Sequence, residues 1–308
     1  MELARRFGKL LLIDATYKTN VYDMPLLQIV AMSCVGRLFT VAVCFMKRET
    51  FEEYSWALKC LDEEIGDFLK PDCIITDCDA GLMKAVREVF PSAVNYICAW
   101  HIRQNVEANC RGSFKSADDF DVFMRRWDGL VEEEELEGFD LKWKNIREDP
   151  VVSKRVCEYI QGQWLPKKQH FIAAFHRPCF DLGYHCTSGV EGMHACLKRS
   201  LGSSAGSVFT CVRRIDGFLR TQMEEIDNEF SADEVKRITE TGSALLFSKL
   251  WGVVSRHCVR KIMSTLAEER RLPSSCTGSC YLRMGFPCAH QLLKMVCVPC
   301  GYLTLENW

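Results

Sequence analysis

The sequence lacks any apolar run close to the ~20 residues that a membrane-spanning helix requires. No secretory signal is visible, since MELARRFGK is polar and passes at once into a strand-like segment. It has no excess of basic charge: the formal net charge of -2 carries no nucleic-acid signature. Internal repeats and low-complexity tracts are missing, and so is a Lys/Arg cluster of the nuclear-import type. These absences exclude a helical membrane protein and a repeat array. The abrupt start near a strand is what a fragment or a degenerate copy with a missing upstream segment would show.

What is there is the composition of a soluble globular protein, 308 residues long, 48% hydrophobic and 26% charged. That length suffices for one large domain or two ordinary ones. Charge is unevenly spread. Residues 118–149 are acid-rich, with Glu132 to Glu135 in a row, whereas 198–220 carry Lys198, Arg199, Arg213, Arg214 and Arg220 against Asp216 alone. The second stretch reads either as a basic face or as a solvated helix surface, the commoner origin of short charge runs. The 18 cysteines are numerous. With no secretory signal they read as thiols of a reducing compartment, with room for a metal site, rather than as disulfides. Cys34, Cys44 and Cys73 sit in apolar segments, where cysteine behaves as a small buried hydrophobe.

Three apolar, β-branched runs at 9–14, 25–34 and 38–46 predict consecutive strands joined by hairpin-sized turns. Residues 50–69 predict an amphipathic helix, capped by Thr50 with Glu53 three residues on and stopped by Pro71. CIITD at 73–77 is a fourth strand, 80–89 a second helix, NYICAW at 95–100 a fifth strand, and HIRQNVEANC the start of a third helix. The order β-β-β-α-β-α-β-α predicts an α/β fold, a mixed sheet of ribonuclease H-like type covered by helices. From 112 to about 180 the pattern is helical, charged and aromatic, with Phe120, Phe123, Trp127, Trp143, Trp164 and Phe171. The expected divisions are 1–111 for the first part of the sheet domain, 112–185 for an all-helical insertion and 186–240 for the end of the sheet domain. Residues 241–308 form a small cysteine-bearing region.

Two acids stand at strand ends, Asp14 after LLI and Asp77 after CIIT. On adjacent parallel strands both carboxylates would emerge at one sheet edge. Two such carboxylates repel unless a cation lies between them. Hard oxygen ligands suit Mg²⁺ or Mn²⁺, and a paired-ion site of this kind serves phosphoryl transfer. The plainer reading is that Asp begins turns. Asp79 follows Asp77 closely and is better placed to cap the next helix. Glu191, in HCTSGVEGMHACLKRSL, is the candidate third acid, on a helix started near Thr187 or Ser188. A glutamate there is also an ordinary partner of the helix dipole.

The ordered set DATYKTN, MPLLQIV, ITDCDAGLMKAVREVFPSA, ICAWHIRQNV, TSGVEGMHACLK and CTGSCYLRMGFPCAH resembles the Mutator-like element (MULE) transposase domain. That domain is shared with the far-red-impaired-response family of domesticated transposases. The resemblance spans about residues 9–292. It implies that Asp14, Asp77 and Glu191 are a catalytic DDE triad holding two Mg²⁺ or Mn²⁺ ions. It implies that Cys98 and His101 are the Cys-x-x-His signature after the second acid. Half a zinc site by spacing, that pair lacks a nearby second half, so a role beside the active site or on DNA is the stronger expectation. Asp79 joins Cys98 and His101 in that supporting group. The tail resembles a SWIM zinc finger in Cys276, Cys288 and His290, but Gly278 stands where a cysteine is expected. Cys280 is the nearest substitute, and Cys297 and Cys300 are alternatives. The implied activity is metal-dependent DNA cleavage and strand transfer. The implied partners are transposon terminal repeats and target DNA, with a homo-oligomer open and no membrane. The implied compartment is the nucleus. A non-catalytic, DNA-binding transcription regulator derived from such an enzyme is the competing expectation.

Overall fold

The computed structural model describes residues 2–184, 188–202, 206–235, 247, 250, 252–267, 278–288, 290 and 291. Its centre is a five-stranded mixed sheet of order β3-β2-β1-β4-β5. The strands are β1 (Leu10–Thr16), β2 (Leu26–Met32), β3 (Leu38–Phe45), β4 (Cys73–Thr76) and β5 (Val94–Ile97). The first three form an antiparallel meander, and β4 and β5 extend the sheet parallel to β1. Parallel neighbours require a crossover, and helices supply both. The first is α2 (Phe51–Ile65), between β3 and β4, and the second is α3 (Ala80–Val89), between β4 and β5.

Side-chain alternation sorts each central strand between two cores. On one face Leu11, Ile13, Ile29 and Ile74 pack with Leu58 and Leu61 of α2 and Leu82 and Val86 of α3. On the other, Leu10, Leu12, Val30 and Ile75 pack with Val190, which lies in α8 (Ser188–Leu201). Burial on both faces explains why the strand sequences are nearly continuous apolar runs rather than alternating ones.

Four helices, α4 (Ala99–Cys110), α5 (Ala117–Val131), α6 (Leu136–Glu148) and α7 (Lys154–Gln163), follow β5. They share a core built around Phe120, Phe123, Trp127, Trp143, Trp164 and Phe171, the aromatics prominent in the sequence. Beyond α8 come α9 (Val208–Val235), α10 (Arg256–Ala267) and α11 (Ser279–Met284). No described helix is long and apolar enough to cross a membrane.

Several predicted boundaries move. A short helix, α1 (Glu2–Phe7), precedes β1, and it buries Leu3 and Ala4 where the sequence had suggested only a polar lead-in. β1 continues past Asp14 to Thr16, because Asp14 to Thr16 still pair with β2. α2 stops at Ile65 rather than at Pro71, ended by Gly66 at φ +66°; only glycine adopts that conformation without penalty. The Thr50 cap is present, its hydroxyl accepting the Glu53 N–H. β5 ends at Ile97 and Cys98 caps the following helix, so Ala99 and Trp100 are helical and not strand. Of the three thiols expected inside, Cys73 is buried, Cys44 is half-buried and Cys34 is exposed at the β2–β3 turn.

The β1–β2 connection is held by one side chain. Asn20 is buried, and its Nδ2 donates to the Met24 carbonyl (2.9 Å) while its Oδ1 accepts the Tyr22 and Met24 N–H groups (3.0 and 3.2 Å). The loop is pinned to the start of α9, where the Cys211 thiol donates to the Thr19 carbonyl at 3.2 Å.

Candidate metal centre

The register between β1 and β4 brings the first two acids together. Ile13 is paired with Thr76 on the parallel strand, so the next residues, Asp14 and Asp77, lie side by side where β4 ends. Leu10, Leu12 and Asp14 share one face of β1, and the first two pack in the core that contains Val190. Asp14 therefore emerges beneath α8.

That helix lies on the sheet through Val190, Leu197 and Leu201, spaced for one helical face. His194 occupies the same stripe and is buried, while Glu191, one residue past Val190 in the first turn, reaches the rim. Opposite stands His101, the third residue of α4. Its position follows from its cap: the Cys98 Sγ accepts the His101 backbone N–H at 3.5 Å, and the Cys98 N–H donates to the Thr76 carbonyl at 2.7 Å. The Cys-x-x-His spacing is thus the spacing from a helix cap to the residue whose N–H it receives. Cys98 has a capping role, and His101 points into the site.

The result is a convergent cluster. One ligand atom each from Asp14, His101 and Glu191 lie within 4.8 Å of one another, and no other set of three or more His, Cys, Asp or Glu side chains converges so closely among the described residues. His101 Nε2 is 3.2 Å from Glu191 Oε1. His194 Nδ1 lies 3.8 Å from Asp14 Oδ2, and its Nε2 is buried without a hydrogen-bond partner. The described ion-pair contacts of Asp14 and Glu191 are therefore both with imidazoles.

The electrostatics match the crowding. Asp14 is raised to about 8, first by burial and then by the charges of Asp77 and Glu191. Asp77 is also raised, mainly by burial, against the stabilising Asp79 N–H that its Oδ1 accepts at 3.3 Å. His194 is held down at about 4 by burial and is neutral at physiological pH. Asp79 caps α3, its Oδ1 accepting the Leu82 N–H at 2.7 Å. The charges of Asp77 and Glu191 both act on the buried Asp14 carboxyl, a repulsion that a divalent cation would relieve.

His194 did not stand out in the sequence. The signal was available: in VEGMHACLKRSL a histidine falls between Val190 and Leu197 on the apolar face of a helix whose first turn carries an acid. In the tail, Cys276 lies outside the described residues, as do Cys297 and Cys300. Cys280 packs beside Phe286, and Cys288 Sγ is 4.0 Å from His290 Nδ1.

Residues 10–105, from β1 into α4, match the family model of the MULE transposase domain. FAR1-related proteins are similar to the same chain. The family match and these relatives together support a MULE and FAR1-like kinship for the chain. The matched segment contains Asp14, Asp77, Cys98 and His101 and stops well before Glu191. FAR1-RELATED SEQUENCE 5 of Arabidopsis thaliana is 25% identical over 52% of the chain, which is 20% of that protein. FAR1-RELATED SEQUENCE 7 of the same plant is 20% identical over 77% of the chain and 29% of its own length. A Chaetomium globosum protein named PKS-NRPS hybrid synthetase cheA is 22% identical over 96% of the chain, a segment forming 7% of that protein. The chain thus spans between 7% and 29% of the length of the curated relatives it matches.

Proposed function

We propose that this MULE-type chain is the catalytic domain of a DDE transposase. It cleaves phosphodiesters at transposon-end DNA and joins the freed 3′ ends to target DNA, using Mg²⁺ or Mn²⁺ at Asp14, Asp77 and Glu191. The observation that carries the proposal is the buried Asp14 carboxylate, converging with Glu191 and beside Asp77 on the parallel strand. Burying a carboxylate among others costs several kcal/mol unless a cation compensates it, so a fold that keeps Asp14 there needs a reason. The strand order β3-β2-β1-β4-β5 with its two crossover helices supports a ribonuclease H-like architecture for this sheet.

The donor set fits such ions: carboxylate oxygens at one edge, partly open to solvent through Glu191. When bound, the ions supply charge neutralisation and activation of the attacking oxygen. The chain's own residues do the rest. β1 and β4 fix Asp14 and Asp77 at a common edge, and α8 carries Glu191 over them. The neutral His194 fills the space behind Asp14 and keeps bulk water away from it. The reading includes a structural Zn²⁺ on Cys276, Cys280, Cys288 and His290 and a nuclear location.

A second reading is a domesticated DNA-binding regulator without catalysis, favoured by the likeness to FAR1-related proteins. One experiment separates the two: Mg²⁺- or Mn²⁺-dependent cleavage of terminal-repeat DNA by wild type and by Asp14→Ala. Cleavage lost in the variant with DNA binding retained is expected. A folded wild type that binds DNA and never cuts it would favour the regulator. Metal analysis of the purified chain checks the zinc, with one Zn²⁺ per chain expected and none refuting it.

A further inference from the structure

We infer that the first cation seat is an oxygen–oxygen–nitrogen site made by Asp14, Glu191 and the Nε2 of His101, and that it prefers Mn²⁺ to Mg²⁺. The inference rests on the proposed metal-dependent function and deepens it, since that reading assigns only carboxylates to the ions.

Geometry is the first support. Asp14, His101 and Glu191 are the residues whose ligand atoms converge within 4.8 Å, and Asp77 joins no such group among the described residues. Adjacent ligands of an octahedral ion at ~2.1–2.2 Å lie ~3 Å apart. His101 Nε2 and Glu191 Oε1 already stand at 3.2 Å. The two side chains therefore already stand at the spacing that neighbouring ligands of one ion would have. Asp77 instead turns one carboxylate oxygen back to the Asp79 N–H.

Preorganisation is the second. His101 sits at a fixed point of α4, because the Cys98 cap and the ladder bond from Cys98 to Thr76 tie the start of that helix to the end of β4. Glu191 is fixed by Val190 and His194, which anchor the first turns of α8 in the core. Asp14 is fixed by strand pairing. Asp14, His101 and Glu191 sit on a strand and two helices rather than on loops, which holds their side chains in place.

The chemistry then decides the ion. Imidazole nitrogen is a borderline donor that suits first-row transition ions, whereas Mg²⁺ sheds water reluctantly and favours oxygen. An imidazole in place of one carboxylate also removes a hard oxygen ligand of the kind Mg²⁺ favours. The rival account gives His101 no metal bond: it donates to Glu191 and merely orients it.

Pulsed electron paramagnetic resonance of Mn²⁺ bound to the purified, chelator-stripped chain tells the two apart, with isothermal titration for affinity. Expected are one tight Mn²⁺, a nitrogen-14 coupling from a directly bound imidazole, and at least about tenfold weaker binding of Mg²⁺ at the same seat. In His101→Gln the nitrogen coupling should vanish, Mn²⁺ affinity should fall about tenfold or more, and the Mn²⁺/Mg²⁺ preference should shrink towards one. A wild-type Mn²⁺ signal without nitrogen coupling overturns the inference, as does a coupling that survives in His101→Gln. In either case ions bound by carboxylates would leave the proposed function standing. Absence of any divalent binding to the folded wild type sinks both. If His101→Gln folds poorly, a wild-type spectrum without nitrogen coupling still overturns the inference, and His101→Asn with His194→Gln as a control assigns a coupling that is seen. Its loss in the first alone supports His101, and its loss in the second alone overturns the inference.

Discussion

Asp14→Asn removes a buried carboxylate crowded by two others, and its effect on stability follows from the site. The carboxyl is raised from 3.8 to about 8 by burial and by Asp77 and Glu191. A carboxyl with a raised folded-state value takes up a proton on folding, so its penalty is absent below the unfolded value, near pH 4. The penalty grows as pH rises and levels off once pH passes about 8. Each pH unit in that window contributes about 1.4 kcal/mol, so the penalty is on the order of 4 kcal/mol at pH 7 and 5–6 kcal/mol above pH 8. Asparagine is close in shape and carries no charge. In chelator, the variant should match wild type near pH 4 and exceed it increasingly to pH 8, by several kcal/mol at pH 7. Urea denaturation at a series of pH values, followed by circular dichroism, measures the gap. With saturating Mn²⁺ the order should reverse, because the cation stabilises only the protein that keeps the ligand. A gap independent of pH, or a variant less stable than wild type in chelator at pH 8, would refute the claim that burial and the neighbouring acids outweigh the Ala15 N–H that Asp14 accepts.

Other substitutions test neighbouring parts of the argument. Asp79→Ala should cost about 1 kcal/mol through loss of the α3 cap and leave Mn²⁺ affinity within about threefold, as calorimetry would show; a loss comparable to that of Asp14→Ala would make Asp79 a ligand. Asn20→Ala should destabilise by about 1–3 kcal/mol, since it removes three part-buried hydrogen bonds that hold the β1–β2 loop; a change under about 0.5 kcal/mol would mean the loop is held elsewhere. Trp127→Ala empties the centre of the helical core and should cost about 3–5 kcal/mol in denaturant, with any smaller effect showing that α5 and its neighbours repack.

Most of the secondary structure was legible because its signals are local. Thr50 and Asp79 announce helix starts by capping chemistry, and the runs LLLI, LLQIV and CIIT announce strands by composition. The aromatic residues from Phe120 to Phe171 likewise marked a helical core of their own. The residues that failed were those at element ends, where a tertiary contact outweighs propensity. NYICAW reads as one strand, yet Cys98 ends it by spending its sulfur on a helix cap. MELARRFGK reads as a polar lead-in, yet Leu3 and Ala4 find the sheet core and a helix forms.

Sequence alone determined which acids were available and that Asp77 follows a strand, because strand ends and helix caps are written in neighbouring residues; that β1 runs on past Asp14 to Thr16 came from its pairing with β2. Only the tertiary structure decided which groups meet. Glu191 is 90 residues from His101 in the chain and 3.2 Å from it in space. His194, inconspicuous in its apolar stripe, stands behind Asp14. Such meetings depend on the parallel register of β1 with β4 and on how α8 packs across them. Those are set by the burial of whole faces, which no short stretch of sequence encodes.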